Sequence, residues 1–180
     1  MFYGPKIDFK IKDALGREWQ GPTVQVDFNL PERFDIQFND KDNELKRPVM
    51  VHRAIFGSFE RFVGGLIEHF AGWFPVWLAP TTAAVLPITD EQVDAAGELQ
   101  RKLTAAGFRA VLRADGPLRK RVRESELEKI PYMAVLGGRE VEEGKVNLRI
   151  HGEKEQRSMS VDDFLAFLIE KRDTRALGYA

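Results

Sequence analysis

Apolar and polar positions change rhythm several times along this chain, and the changes mark out its elements. Ile7-Asp8-Phe9-Lys10-Ile11-Lys12 alternates apolar with charged residues, the period-two pattern of a strand. Asp13-Ala14-Leu15-Gly16 turns the chain into Arg17-Glu18-Trp19-Gln20, so a hairpin is expected. Thr23 to Phe28 alternates again, with Val24, Val26 and Phe28 on the face expected to be core and Thr23, Gln25 and Asp27 on the other. That polar face is either simply wet or the floor of a substrate cleft. Asn39 to Asn43 reads as an exposed loop. From Val49 to Phe56 the residues are β-branched or apolar with His52 inside the run, and Gly57-Ser58 then supplies a break and a helix N-cap. Phe59, Phe62, Val63, Leu66, Ile67 and Phe70 recur at helical spacing, predicting a helix with one apolar stripe against a core.

Two prolines in Phe74-Pro-Val-Trp-Leu-Ala-Pro80 end the helical pattern, which places a domain boundary between 1–78 and 79–180. Beyond it strand and helix alternate: Ala83 to Ile88 as a strand, Asp90 to Ala106 as a helix capped by Thr89 or Asp90 and stopped at Gly107, and Phe108 to Leu112 as a strand. Val93, Ala96, Leu99 and Leu103 should line that helix's buried side. A second helix opens at Gly116-Pro117, with proline at its first position, and runs to about Lys129. Ile130 to Leu136 and Lys145 to Ile150 read as strands with a turn at Gly137-Gly138 between them. Val161 to Lys171 closes the chain as a helix burying Phe164, Phe167 and Leu168. The expected second domain is a small α/β sandwich.

Composition narrows the possibilities further. With 180 residues, 43% of them hydrophobic, the chain can bury one good core or two small ones. It has no cysteine, which excludes disulfides and any complete Cys-containing metal site and makes an intracellular, cytoplasmic setting the plainer expectation. No apolar run is long enough to span a membrane, and the N-terminus lacks a secretory signal pattern. A net charge of −1 leaves nucleic-acid binding to local basic patches. One such run, Leu118-Arg-Lys-Arg-Val-Arg123, is followed closely by Glu124, Glu126 and Glu128, so a solvated helix face is the first reading and RNA contact the second. His69 and His151 have no metal-like companions and read as structural or exposed, and His52 by default is a satisfied core histidine. Arg61 falls in the first turn of its helix, where the dipole is positive and a cation costs roughly 0.3–1 kcal/mol. Either Glu60 compensates it, or Arg61 and the helix N-terminus together hold a phosphate.

Several segments together carry a family resemblance. Phe2-Tyr-Gly-Pro-Lys-Ile-Asp-Phe9, Asp13-Ala-Leu-Gly-Arg-Glu-Trp-Gln20, Asp27-Phe-Asn-Leu-Pro-Glu-Arg-Phe34, Arg47 to Phe62 and Ile130-Pro-Tyr-Met133 stand in the order found in the C-terminal part of threonyl-tRNA synthetases, a family of class II aminoacyl-tRNA synthetases. The chain resembles that family over nearly its whole length. The resemblance implies the end of a class II antiparallel-sheet catalytic core, mixed α+β, followed by a small α/β anticodon-binding domain with a mixed sheet. It implies that Gly57 to Phe62 is motif 3, whose Arg61 binds ATP phosphate and stacks near adenine. Gln20, Thr23 and Ser58 are implied on the ATP side of the pocket, Gln25 and Tyr3 near threonine. His52 is implied as one of three zinc ligands, the other two being a Cys and a His upstream, with the zinc holding the threonine amino and hydroxyl groups. Such a site rejects valine, which lacks the hydroxyl. In the second domain, Arg123, Lys129, Glu140 and Arg149 fall where the family places anticodon contacts to tRNA(Thr).

The chain also departs from the family. Arg113-Ala-Asp-Gly-Pro-Leu-Arg119 replaces the usual Arg-Asn-Glu-Lys pattern and is one residue longer, so an anticodon-facing asparagine is missing or replaced by Asp115. Gln20-Gly-Pro-Thr23 has glycine where many members have Cys or Ser. Motif 1 with its homodimer contacts, motif 2, two zinc ligands and the editing domain would lie upstream of Met1. The expectation is therefore part of a threonine-tRNA ligase using ATP with Mg2+ and Zn2+, either a fragment or half of a split enzyme, and inactive alone. A stand-alone RNA-binding module and an inactive truncation product are the alternatives.

Overall fold

The first alternating segment forms β1 (Lys6–Lys12), which the turn at Asp13 returns antiparallel as β2 (Glu18–Asp27) in the computed structural model, which describes residues 4–179. The Asp13 carboxylate makes the turn by accepting the N–H groups of Leu15 and Arg17 at 3.0 and 2.8 Å. β2 joins what the sequence divides into two strand runs, and it does so through a bulge. Asp8 lies opposite Thr23 but Lys10 lies opposite Gln20, so β2 spends one extra residue at Gly21-Pro22.

After β2 come a short helix α1 (Asn29–Arg33) and a two-stranded ribbon of β3 (Phe38–Asn39) and β4 (Leu45–Lys46), joined through the expected loop. β5 (Met50–Ala54) pairs antiparallel with β2, giving the sheet order β1-β2-β5. Helix α2 (Phe59–His69) follows the Gly57-Ser58 break as expected. The burial differs from expectation. Val24 and Val26 are half-buried, Phe28 has left the strand and is exposed, and the fully buried residue is the polar Asp27. Helix α2 buries no residue completely, and Phe59 on its apolar stripe is 71% exposed. Ile7, Phe9 and Ile11 on β1 are exposed as well. Hydrophobic alternation therefore gave the strands, but it did not give the burial of their faces, because among the described residues nothing covers the apolar side.

The chain divides into two compact units, Met1–His69 and Phe70–Ala180. In the second, β6 (Ala83–Pro87) is followed by a 3-10 turn (Asp90–Gln92), α3 (Val93–Ala105), β7 (Ala110–Leu112), α4 (Leu118–Leu127), β8 (Tyr132–Leu136), α5 (Gly138–Glu143), β9 (Lys145–Ile150), β10 (Arg157–Ser160) and α6 (Val161–Asp173). The sheet order is β10-β9-β8-β6-β7, with β6 parallel to β7 and β8 and the other pairs antiparallel. One face packs Leu99, Leu103, Phe164 and Leu168 against Val85, Ala134 and Leu148, and Val76 joins that cluster, so the proline-rich stretch packs with this unit. The other face packs Leu118 and Val122 of α4 against Leu86, Met133 and Val135. Sequence pattern missed α5 and β10, both short and without apolar period. Pro117 is the N-cap of α4, with ψ 142°, and not its first helical residue. Phe167 is half-buried where full burial was expected.

Gly57 seats the turn between β5 and α2. Its φ is +71°, and a Cβ there would lie 2.8 Å from the Gln20 carbonyl oxygen and 2.9 Å from that of Gly21, both at the bulge. Gly16 has a similar φ of +76° but open space around it. Gly57→Ala is expected to cost about 2–4 kcal/mol, strain plus backbone clash, and Gly16→Ala only about 1 kcal/mol. Urea unfolding followed by circular dichroism checks the ordering.

Candidate functional site

Along an unbroken strand Gln20 and Thr23 would point to opposite faces. The extra residue at Gly21-Pro22 reverses the phase, so Gln20, Thr23 and Gln25 lie opposite Lys10, Asp8 and Lys6 on one face. On the other side of β2, Gln25 stands opposite His52 of β5. Four residues expected at one pocket thus share a surface. Gln20 Nε2 donates to Asp8 Oδ1 at 3.3 Å, and Lys6 Nζ lies 3.0 Å from Asp8 Oδ2. The Thr23 hydroxyl beside it holds the Asp8 carboxyl below its ordinary range, with Lys6 adding to the effect. Asp8 belongs to the same polar face, and its strand alternation did not distinguish it from other charged positions.

His52 is not a core histidine: its side chain is 42% exposed, and Nε2 lies 2.8 Å from Asp27 Oδ2. Asp27 Oδ1 accepts the N–H groups of Asn29 and Leu30 at 2.8 and 3.1 Å. Burial works to raise the Asp27 pKa, but the His52 contact and the two backbone donors outweigh it, and the net shift is downward. An imidazole backed by a buried carboxylate fits the arrangement in which a metal-bound histidine is oriented from behind. Among the described residues no group of three His, Cys, Asp or Glu could hold a metal ion.

Ser58 caps α2, its Oγ accepting the Arg61 N–H at 3.3 Å. The Arg61 guanidinium carbon lies 5.6 Å from the centre of the Trp19 ring. Tyr3 lies outside the described residues.

In the second unit the four expected anticodon residues are not gathered in one place. Arg149 lines a cavity of about 240 Å3 together with Trp73, Glu126, Met133 and His151. Lys129, at φ +62°, places Nζ 4.9 Å from the centre of the Trp73 ring, and His151 stacks on that ring at 3.4 Å. Burial, aided by the Lys129 charge, pushes the His151 pKa down. Glu140 instead accepts the Gly137 N–H at 3.1 Å and closes the start of α5, while Arg123 is exposed on α4. The basic run is not uniformly solvated. Arg121 is 4% exposed and donates from Nη1 to the carbonyls of Pro87 (2.7 Å) and Arg113 (2.9 Å) and from Nη2 to that of Ile88 (3.4 Å). Helical phase was the available signal, because Leu118, Val122 and Ser125 put Arg121 on the inner face.

Residues 82–171 match the family described as the anticodon binding domain, and residues 1–70 match the tRNA synthetase class II core domain (G, H, P, S and T). The chain is 54% identical over 164 residues to the chloroplastic/mitochondrial threonine–tRNA ligase 2 of Arabidopsis thaliana, covering 91% of this chain and 25% of that protein. With the threonine–tRNA ligase of Chlorobaculum tepidum it shares 53% identity over 175 residues, covering 97% of this chain and 27% of the relative. The chain thus spans about a quarter of the length of these relatives. The solved RNA-binding domain of threonyl-tRNA synthetase from Cryptosporidium parvum superimposes with a TM-score of 0.87 at 36% identity, covering all of this chain and 44% of that one. Among the described residues no helix is long and apolar enough to cross a membrane.

Two measurements test this geometry. Because the Asp27 pKa is lowered on folding, its contribution to stability is fully present above the ordinary aspartate range and is lost as pH falls through the lowered value. The melting-temperature gap between wild type and Asp27→Asn should shrink as pH falls below about pH 4. Arg121→Met leaves three carbonyls without their donor and should cost about 2–3 kcal/mol in urea unfolding.

Proposed function

This chain belongs to the threonyl-tRNA synthetase family, whose C-terminal region it matches, and from that premise we propose that it forms part of a threonine–tRNA ligase. The observation that carries the reading is the bulged strand β2, which lines up Gln20, Thr23 and Gln25 with His52 on one face. In the first half-reaction a threonine carboxylate oxygen attacks the α-phosphorus of ATP, the bond to the bridging oxygen breaks, and pyrophosphate leaves. In the second, a terminal ribose hydroxyl of tRNA(Thr) attacks the acyl carbon, gives up its proton and expels AMP. Both steps depend on positioning and on cations aimed at developing charge. Arg61 supplies that charge to the ATP phosphates, with Gln20, Thr23 and Ser58 on the nucleotide side of the pocket and Gln25 and Tyr3 on the threonine side. His52, oriented by Asp27, would be one ligand of a zinc ion whose chemistry is to bind the threonine amino and hydroxyl groups.

The first unit leaves Ile7, Phe9, Val51 and Phe59 exposed, which fits a sheet completed by further class II core residues carrying motifs 1 and 2 within a homodimer. The second unit has its own two-sided core and reads the anticodon, with Arg149 and Lys129 near the Trp73 cavity and Arg123 and Glu140 on flanking helices. Absence of cysteine fits a cytoplasmic place of work.

The 180-residue chain alone is expected to bind tRNA(Thr) with an affinity that falls as salt rises, Arg149→Ala weakening it, in a mobility-shift titration. It is expected to give no threonine-dependent ATP–pyrophosphate exchange. Exchange by the chain alone, or indifference to tRNA at low salt, would sink the reading.

A further inference from the structure

We propose that Trp19 is a positioning residue for Arg61, holding its guanidinium by the ring face and leaving its N–H donors for the polyphosphate of a nucleotide. This rests on the nucleotide-binding reading of Arg61 and adds a residue outside motif 3. Three observations carry it. The guanidinium carbon of Arg61 stands 5.6 Å from the Trp19 ring centre. Among the described residues no ion pair joins Arg61 to Glu60 or to any other carboxylate, so its charge is held without being neutralised. The ring itself is fixed, because Trp19 Nε1 donates to Asp13 Oδ2 at 2.9 Å.

Asp13 is a rigid anchor. Its side chain is 7% exposed and also accepts Arg17 Nε at 2.6 Å and the N–H groups of Leu15 and Arg17. The Trp19 N–H, against the cost of burial and with help from Arg17, holds the Asp13 carboxyl down to about 2, so it is ionised throughout the neutral range. Arg17 also lies 5.6 Å from the Trp19 ring centre, but its charge is paired with Asp13. Arg61 is the cation near that ring left for an outside anion. The helix that carries it is tied at both ends, by Gly57 against the bulge and by Glu68 Oε1 accepting the Ala14 N–H at 3.1 Å.

The chemistry favours a ring over a carboxylate at this position. A carboxylate would occupy the same N–H donors that a phosphate needs and would have to be displaced. An aromatic face attracts the cation through its quadrupole while the five donors, which lie in the guanidinium plane, stay available.

The test follows the Arg61 Nε–Hε correlation in nuclear magnetic resonance spectra of the full chain, assigned by its loss in Arg61→Lys, during titration with Mg-ATP. In wild type the signal is expected upfield of exposed arginines, from the indole ring current, and to move on adding Mg-ATP. Trp19→Leu should abolish the upfield displacement and raise the half-saturating Mg-ATP concentration about tenfold. Trp19→Phe, which keeps a ring, should fall between the two and carries the test if Trp19→Leu does not fold. An unchanged Arg61 signal and titration in both variants would overturn the proposal alone. A wild-type signal displaced by the indole but indifferent to Mg-ATP would overturn the phosphate role of Arg61, and the proposal with it.

Discussion

Everything in the first unit depends on how closely two pieces of backbone approach. The turn before α2 rests on the carbonyls of Gln20 and Gly21, with the Gly57 Cα where no side chain fits. Those carbonyls belong to the bulge that brings Gln20 into phase with Thr23 and Gln25. One contact therefore sets two things, the shared face of the strand residues and the point from which α2, with Ser58 and Arg61, departs. A register slip of one residue in β2 would send the polar floor to the opposite side.

The molecule handles its basic side chains in distinct ways, and each suits a different task. Arg121 is sealed among three carbonyls, where its fixed geometry ties the ends of β6 and β7 to α4. Lys120 and Arg139 are spread over exposed helix surfaces in pairs four residues apart, which contribute little to stability. His52 leans on a carboxylate that is itself locked by two backbone donors. Arg61 stands over an aromatic ring and, among the described residues, pairs with no carboxylate. Arg121 uses its Nη1 and Nη2 donors on carbonyls of the fold, whereas the group with a proposed ligand is steadied and left with charge to offer.

Much of this was legible in the sequence, and the misses have physical causes. Alternation gave β1 and β2, a β-branched and apolar run gave β5, and helical period gave α2, α3 and α6, because those patterns follow from backbone geometry and side-chain shape. Burial in the first unit could not be read, since apolar alternation marks the face that seeks cover and not whether cover is present. The bulge left no hydrophobic signal, though glycine followed by proline within a strand run was a fair warning of one. Asp27 looked like one more polar position because its importance comes from a diagonal neighbour on another strand, His52, and from the α1 turn that follows. Of the anticodon candidates, resemblance supplied the positions, but Glu140 is engaged in capping α5, a helix whose six residues carry no readable period.

The burial of Arg121 has a consequence for counterions. The run from Arg119 to Arg123 holds four cations by sequence, but one is enclosed and another, Lys120, stands 3.7 Å from Glu124. A protein cation that cannot reach a phosphate releases none of the counterions condensed on a nucleic acid. Only Arg119 and Arg123 from this run face solvent without that restriction. Were this run to meet single-stranded RNA, its share of the slope of log affinity against log salt would be that of about two contacts and not four, roughly −0.7 per phosphate.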